Sequence, residues 1–369
     1  METHSTSRRA FIKGLVEASL AGVAGAAINS AKGKEPLEQA EKGKAAQTVF
    51  PRWRGFNVQY FFTQRRYSDP VEDDFRWIAD WGFNFIRVPM SYRIWIEGDD
   101  VYKIKKGPFE KIDHVVDWGQ KYKLHVSLNF HRGPGYCVNE GWTEPFDLWK
   151  DQQALEAFCF HWQLFAKRYR GIPPSRLSFD LINEPKATHQ DYERVVRATT
   201  KTIRQVDPKR LIIIDGLKTG NEPVPELIDL GIGQSCRGYI PAQISHYRAG
   251  WVDRESTFPD PIWPDKEGKT HRWGRQRLEE HYQAWADLAR QGIGVHCGEC
   301  GCYNKTPHDV FLAWFRDVLD ILTGHNIGYA LWNFRGAFGV LDSGRNDVSY
   351  EDSRGHKLDR KLFNLLMES

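Results

Sequence analysis

One alternation governs this chain from residue 50 nearly to its end and leaves few folds open to it. Short apolar runs that finish on polar or aromatic residues take turns with amphipathic stretches of helical period, the pattern of parallel strands joined by crossover helices. The runs are "WRGFNV" (53–58), "FNFIRVPM" (83–90), "LHVSLNFH" (124–131), "LSFDLINE" (177–184), "LIIIDG" (211–216), "AQISHYR" (242–248), "GVHCGEC" (294–300) and "YALWNF" (329–334). Eight such strands close a barrel, so the expected fold is a single (β/α)8 barrel over residues 49–369, within the size range of that architecture. Between the runs, "HQDYERVVRATTKTIRQVDP" presents Val195, Val196, Ala198 and Ile203 on one helical face, and "TPHDVFLAWFRDVLDILTGHN" offers Thr306 as a cap with Pro307 in the first turn. The sixth run is the most polar. The long loops 132–150 and 249–275 are of a length that carries function or disorder.

The first fifty residues are of another kind. In "STSRRAFIK", Arg8 and Arg9 precede Phe11 and Ile12, and the small-residue stretch "GLVEASLAGVAGAA" follows, interrupted by Glu17. The segment 1–31 reads as a twin-arginine export signal with a cleavage point near Ala24-Gly25-Ala26, and the apolar run is too short for stable membrane insertion. Residues 32–48 lack an apolar face and read as a linker. Export machinery is therefore an expected partner, with a periplasmic or extracellular destination. Charge adds no other: 51 Lys and Arg against 48 Asp and Glu give no reason to expect nucleic acid. Nothing in the sequence calls for more than a monomer.

Six cysteines show no framework of the small disulfide-rich kind. "CGECGC" (297–302) has a spacing that a metal could use, but no second ligand cluster accompanies it. On a regular strand Cys297 and Glu299 share one face and Cys300 the other. The cysteines read as small packing residues beside a functional carboxylate, with no metal.

That carboxylate has a counterpart. Asn183, Glu184 and Pro185 end the fourth run, and Glu299 ends the seventh. In an eight-stranded barrel the C-terminal strand ends form the mouth, so these two glutamates face one another over a central pocket. Paired carboxyls of this kind suit glycoside hydrolysis, in which one protonates the departing oxygen and the other attacks or activates water, at about 5 Å separation for retention and about 6.5–9.5 Å for inversion. No cofactor is implied.

Taken in order, the strand ends "RGFN", "IRVP", "NFH", "NEP", "GE" and "LWN" resemble glycoside hydrolase family 5, the cellulase-like barrels, from about residue 50 to 366. The resemblance implies a retaining β-glycosidase acting on a β-1,4-linked glucan or mannan. It implies Glu184 as acid/base, Glu299 as nucleophile, Asn183 as the partner of the sugar 2-hydroxyl, and Arg87 as the charge that keeps Glu299 ionised. His131 matches a histidine of the glycone subsite and Trp332 its floor. Trp142, Trp149, Trp251, Trp263 and Trp273, on the long loops, are candidate sugar platforms.

At one place the chain departs from the family pattern, which has His and Tyr one residue apart on the sixth strand. Here that run reads Ser245-His246-Tyr247-Arg248. Tyr247 is the expected hydrogen-bond partner of Glu299, which leaves Ser245 in the His position; if His246 keeps the His role as a substrate contact instead, Arg248 stands where the Tyr should be, and either way a substrate contact is altered. A barrel that binds carbohydrate without turnover is the competing reading. Such a relic would have no reason to keep Glu184, Glu299, Arg87 and Asn183 together.

Overall fold

The structure, a computed structural model, describes residues 49–139, 143–255, 257–268 and 272–369. The export signal, the linker and Trp142 lie outside these residues. The barrel strands are β1 (Arg54–Asn57), β2 (Phe85–Ser91), β3 (His125–Gly133), β4 (Leu177–Asp180), β5 (Leu211–Asp215), β6 (Gly233–Gly238), β7 (Val295–Cys300) and β8 (Gly328–Leu331). Each pairs in parallel with the next, and β8 returns to β1 through Gly55 opposite Ala330, which closes the sheet.

Helices cover the outside: α1 (Glu72–Asp80), α2 (Gly107–Lys121), α3 (Gln152–Arg168), α4 (His189–Val206), α5 (Arg275–Arg290), α6 (His308–Gly324) and α7 (Arg360–Glu368). The crossover from β5 to β6 has no long helix, only the four-residue turn Leu217–Gly220 and the 3-10 segment Pro225–Leu230. On α4, Val195, Val196 and Ile203 are buried as the periodicity requires. The start of α6 differs from expectation. Pro307 takes the cap position, the Thr306 hydroxyl donates to the Ile244 carbonyl, and Asp347 accepts the His308 N–H at 2.7 Å. Among the described residues no helix is long and apolar enough to cross a membrane.

Seven of the eight expected strands coincide with observed ones, and the sixth does not. "AQISHYR" is no strand: Ala242–Ser245 forms a helical turn after Pro241, while β6 is "GQSCRG", upstream. That strand is buried along its whole length, yet its side chains are polar because each finds a partner. Gln234 accepts from the Val224 N–H and donates to its carbonyl, both at 2.8 Å. The lower end of the barrel is plugged by Phe50, Trp53, Phe85 and Ile213, with Trp53 stacked on His125 at 4.0 Å.

Candidate active site

A bulge in β7 aims Glu299. Cys297 pairs with Cys236 and Glu299 with Arg237, so Gly298 is an extra residue with no partner of its own on β6. A Cβ at 298 would stand 2.4 Å from Ser235 Oγ and 3.6 Å from Arg87 Nε, which places that position in the lumen beside Glu299. The expectation that Cys297 and Glu299 share a face is therefore corrected: the bulge breaks the alternation. Cys297 turns away and meets Cys236 and Cys300 in the packing under Tyr282 of α5. All six cysteines are unbridged.

Glu299 is bound from three directions. Arg87 Nη1 lies 2.6 Å from its Oε1, Tyr239 Oη donates to Oε2 at 3.1 Å, and Arg237 Nη2 stands 3.5 Å from Oε1. Arg87 is fully buried. Its remaining nitrogens reach Asp180 at 2.7 Å and Asn183 Oδ1 at 2.9 Å. Asn57, at the end of β1, accepts from Arg87 and donates to the Gly298 carbonyl at 2.9 Å, pinning the bulge.

The phenol on Glu299 is thus Tyr239, two residues beyond the Arg237 of β6, and not Tyr247. Tyr247 Oη donates to Asp260 at 2.5 Å in the following loop, with Arg248 over its ring. The one-residue spacing of the family pattern is kept by Arg237-Gly238-Tyr239, with Arg in the His position. His246 stays at the mouth, edge-on to Tyr239 at 4.9 Å, its Nδ1 2.8 Å from Ser245 Oγ. Burial sets its pKa down to about 4, and proximity to Glu299 opposes that.

β4 ends at Asp180, and the chain then bends so that Glu184 adopts φ 48°, in the left-handed region that a side chain makes costly. Two contacts hold this backbone: Asp215 accepts the Glu184 N–H at 2.8 Å and Tyr136 Oη donates to its carbonyl at 2.7 Å. Arg237 Nε donates to Glu184 Oε1 at 3.0 Å. The side chain is 17% exposed, against 4% for Glu299. Burial first, then the charge of Glu299, raises the Glu184 pKa to about 7, with Arg237 pulling the other way.

Asn183 Oδ1 accepts from both arginines at 2.9 Å. That fixes the amide, and its buried Nδ2 has no partner among the described residues. His131 binds Asn139 through Nε2 at 3.1 Å and stacks on Trp332 at 5.7 Å, with Phe62 edge-on to Trp332. Burial and the charge of Arg87 lower the His131 pKa to about 3, so its ring is neutral.

The cellulase family, glycosyl hydrolase family 5, matches residues 40–337. This chain belongs to glycosyl hydrolase family 5. It is a glycoside hydrolase, and a solved structure described as a glycoside hydrolase is 41% identical to it, covering 86% of this chain and 99% of that one with a TM-score of 0.82. Endoglucanase C of Acetivibrio thermocellus is 24% identical over 80% of this chain and 94% of its own length. The barrel of Thermotoga maritima Cel5A, solved with mannotriose, is 21% identical over 88% of this chain and 99% of its own, with a TM-score of 0.70, a likeness of fold.

Within this family 5 enzyme the structure brings Arg87, His131, Asn183, Glu184, His246, Glu299 and Trp332 to one mouth and leaves Tyr247 outside it. Of the loop tryptophans, Trp149 is buried against Tyr136 and Tyr192, Trp263 donates to Asp317, and Trp273 lies under Arg277. Trp251 differs. It is 52% exposed and stands edge-on to Tyr303 at 4.9 Å beside His246. Arg237, Tyr239, Asp180, Asp215 and Tyr136 were missing from the sequence reading; a search for X-Gly-Tyr with any polar X would have found the first two.

Proposed function

We propose that this enzyme hydrolyses β-1,4-linked glucan with retention of configuration, using Glu299 as nucleophile and Glu184 as acid/base. The observation that carries the reading is that one guanidinium reaches both carboxyls, Glu184 at 3.0 Å and Glu299 at 3.5 Å. The shared guanidinium sets the two carboxyls about one site, and retention is what the family 5 resemblance implies for such a pair. Arg87 and Tyr239 hold Glu299 and leave Glu184, the more exposed carboxyl, with the pKa raised to about 7 that an acid near neutrality needs.

In the first step Glu299 bonds to the anomeric carbon, the glycosidic C–O bond breaks, and the Glu184 proton passes to the departing oxygen. In the second, water attacks the same carbon, its proton goes to Glu184, and the ester electrons return to Glu299. The free amide hydrogens of Asn183 suit a sugar 2-hydroxyl. Trp332, Phe62 and neutral His131 form an apolar wall for the glycone, and Trp251 offers a further sugar platform at the rim. The choice of glucan follows the endoglucanase relative; mannan is the second substrate to try, since a barrel of this fold was solved with mannotriose.

Reducing-sugar release from carboxymethylcellulose, mixed-linkage β-glucan and galactomannan tests the substrate. Fastest release is expected from a β-1,4-glucan; release from mannan alone would replace glucan by mannan. Residues 1–31 are read as the export signal and 32–48 as its linker, which puts this hydrolysis outside the cytoplasm.

A further inference from the structure

Arg237 is built into the mouth rather than left there by chance. Its side chain is 1% exposed, and its fork is used on every side: by Glu184, by both oxygens of Asp215, by Ser235 Oγ at 3.0 Å and by Asn183 Oδ1 at 2.9 Å. Glycines make room for it. A Cβ at Gly220 would meet Arg237 Cγ at 2.5 Å, and one at Gly298 would meet Nη1 at 3.2 Å. Asp215 is its buried counter-ion and also the acceptor for the Glu184 N–H, so one ion pair fixes both the backbone and the carboxyl of Glu184.

We propose that Arg237 is a positioning residue that divides the work between the two half-reactions, holding Glu184 as the base that activates water at some cost to its service as the acid. The proposal rests on the assignment of Glu184 and Glu299 made above.

The charges around Glu184 give the direction. Glu299 on β7 and Asp215 on β5 favour its proton; Arg237 on β6 opposes them, and Arg87 on β2 stands behind Asn183. Tyr136 and Cys137, on the hairpin after β3, and Tyr239 at the end of β6 face it as un-ionised groups whose pKa values burial has raised. While Glu299 is a carboxylate, Arg237 Nη2 is drawn to it as well as to Asp215. Once Glu299 is a glycosyl ester that attraction is gone, and Glu184 and Asp215 are the carboxyl groups left in contact with Arg237. The carboxylate form of Glu184 is then favoured in the step that needs a base.

Two substrates separate the half-reactions. With a dinitrophenyl β-cellobioside the leaving group needs no proton and kcat reports the second step; with cellotetraose kcat/KM reports the first. In R237Q the alkaline limb of kcat/KM should move up by about one pH unit or more. The dinitrophenyl kcat should fall about tenfold or more, with accumulation of the covalent intermediate and recovery by azide, which needs no base. R237K keeps a charge but cannot hold Glu184 and Asp215 with one fork, so the ratio of second-step to first-step rate should fall there too, by a smaller factor. Equal losses on both substrates with an unmoved alkaline limb in R237Q would overturn the proposal. So would an unchanged ratio in R237K, which decides the matter if R237Q does not fold. If wild type forms no covalent adduct at residue 299, the underlying assignment falls instead.

Discussion

Gly298 and Glu299 are neighbours in one strand and both face the lumen, because β7 carries an extra residue against β6 between Cys297 and Glu299. The bulge turns an alternating strand into a mount for a carboxyl. Its tightness is set by Ser235 Oγ, 2.4 Å from where a Cβ at 298 would lie. G298A should destabilise the fold by about 1–3 kcal/mol, the usual cost of overpacking, and should lower kcat as Glu299 is displaced. Thermal unfolding together with kcat checks this; unchanged values of both would show that the bulge is not sterically fixed.

Tyr239 and Tyr247 make opposite predictions. Tyr239→Phe removes a hydrogen bond to Glu299, worth about 1.5–3 kcal/mol where the partner is charged, so kcat/KM should drop by roughly ten- to a hundredfold. Tyr247→Phe loses only a contact to Asp260 and should leave kcat/KM within about twofold. The reverse ranking would restore Tyr247 to the site.

How much of this was legible in the sequence depended on the range of the interactions concerned. Seven strands announced themselves through apolar runs such as Leu211–Ile214, since burial between core and helices demands them. Glu184 and Glu299 were legible because each closes such a run. β6 was not, because the partners that let Gln234 and Arg237 be buried come from other segments: Val224, Asp215, Asn183 and Glu184. Arg237 reads as a surface residue until Asp215 is seen beside it. The bulge was equally hidden, since it exists only in the register between two strands.

Stability should fall with acid, and the sign follows from the histidines. Burial lowers the pKa of His125, His131, His161 and His296 to about 3, and of His246 and His281 to about 4. Between pH 6.5 and about 4 the unfolded chain takes up protons at these six positions and the fold does not. Asp180 and Glu184, each raised to about 7 with burial the first cause, work the other way but number two. His189, raised chiefly by its hydrogen bond to Glu226, acts above this window. The contribution of the six is complete above pH 6.5 and is lost on descent toward 3, at about 1.4 kcal/mol per pH unit for each fully buried histidine. Urea midpoints from pH 7 to 4 should decrease; a flat or rising series would contradict the neutral histidines.

Export makes a separate prediction. Arg8 and Arg9 belong to the segment read as the export signal, ahead of the barrel in sequence, so changing both to Lys should retain the protein in the cytoplasm with its activity intact. Fractionation of cells expressing the two forms decides it, and undiminished export of the double variant would refute the twin-arginine reading.

The assignment of Glu299 as nucleophile is tested most directly by trapping. A 2-deoxy-2-fluoro-β-cellobiosyl fluoride slows both steps through its fluorine, while its fluoride leaving group restores the first, so a covalent intermediate should accumulate. Peptide mass spectrometry is predicted to find the fluorocellobiosyl adduct on Glu299, with no adduct in Glu299→Gln. A label on Glu184 would mean that the two glutamates are exchanged, and an absent label with an inverted first product on natural substrate would contradict the retaining mechanism.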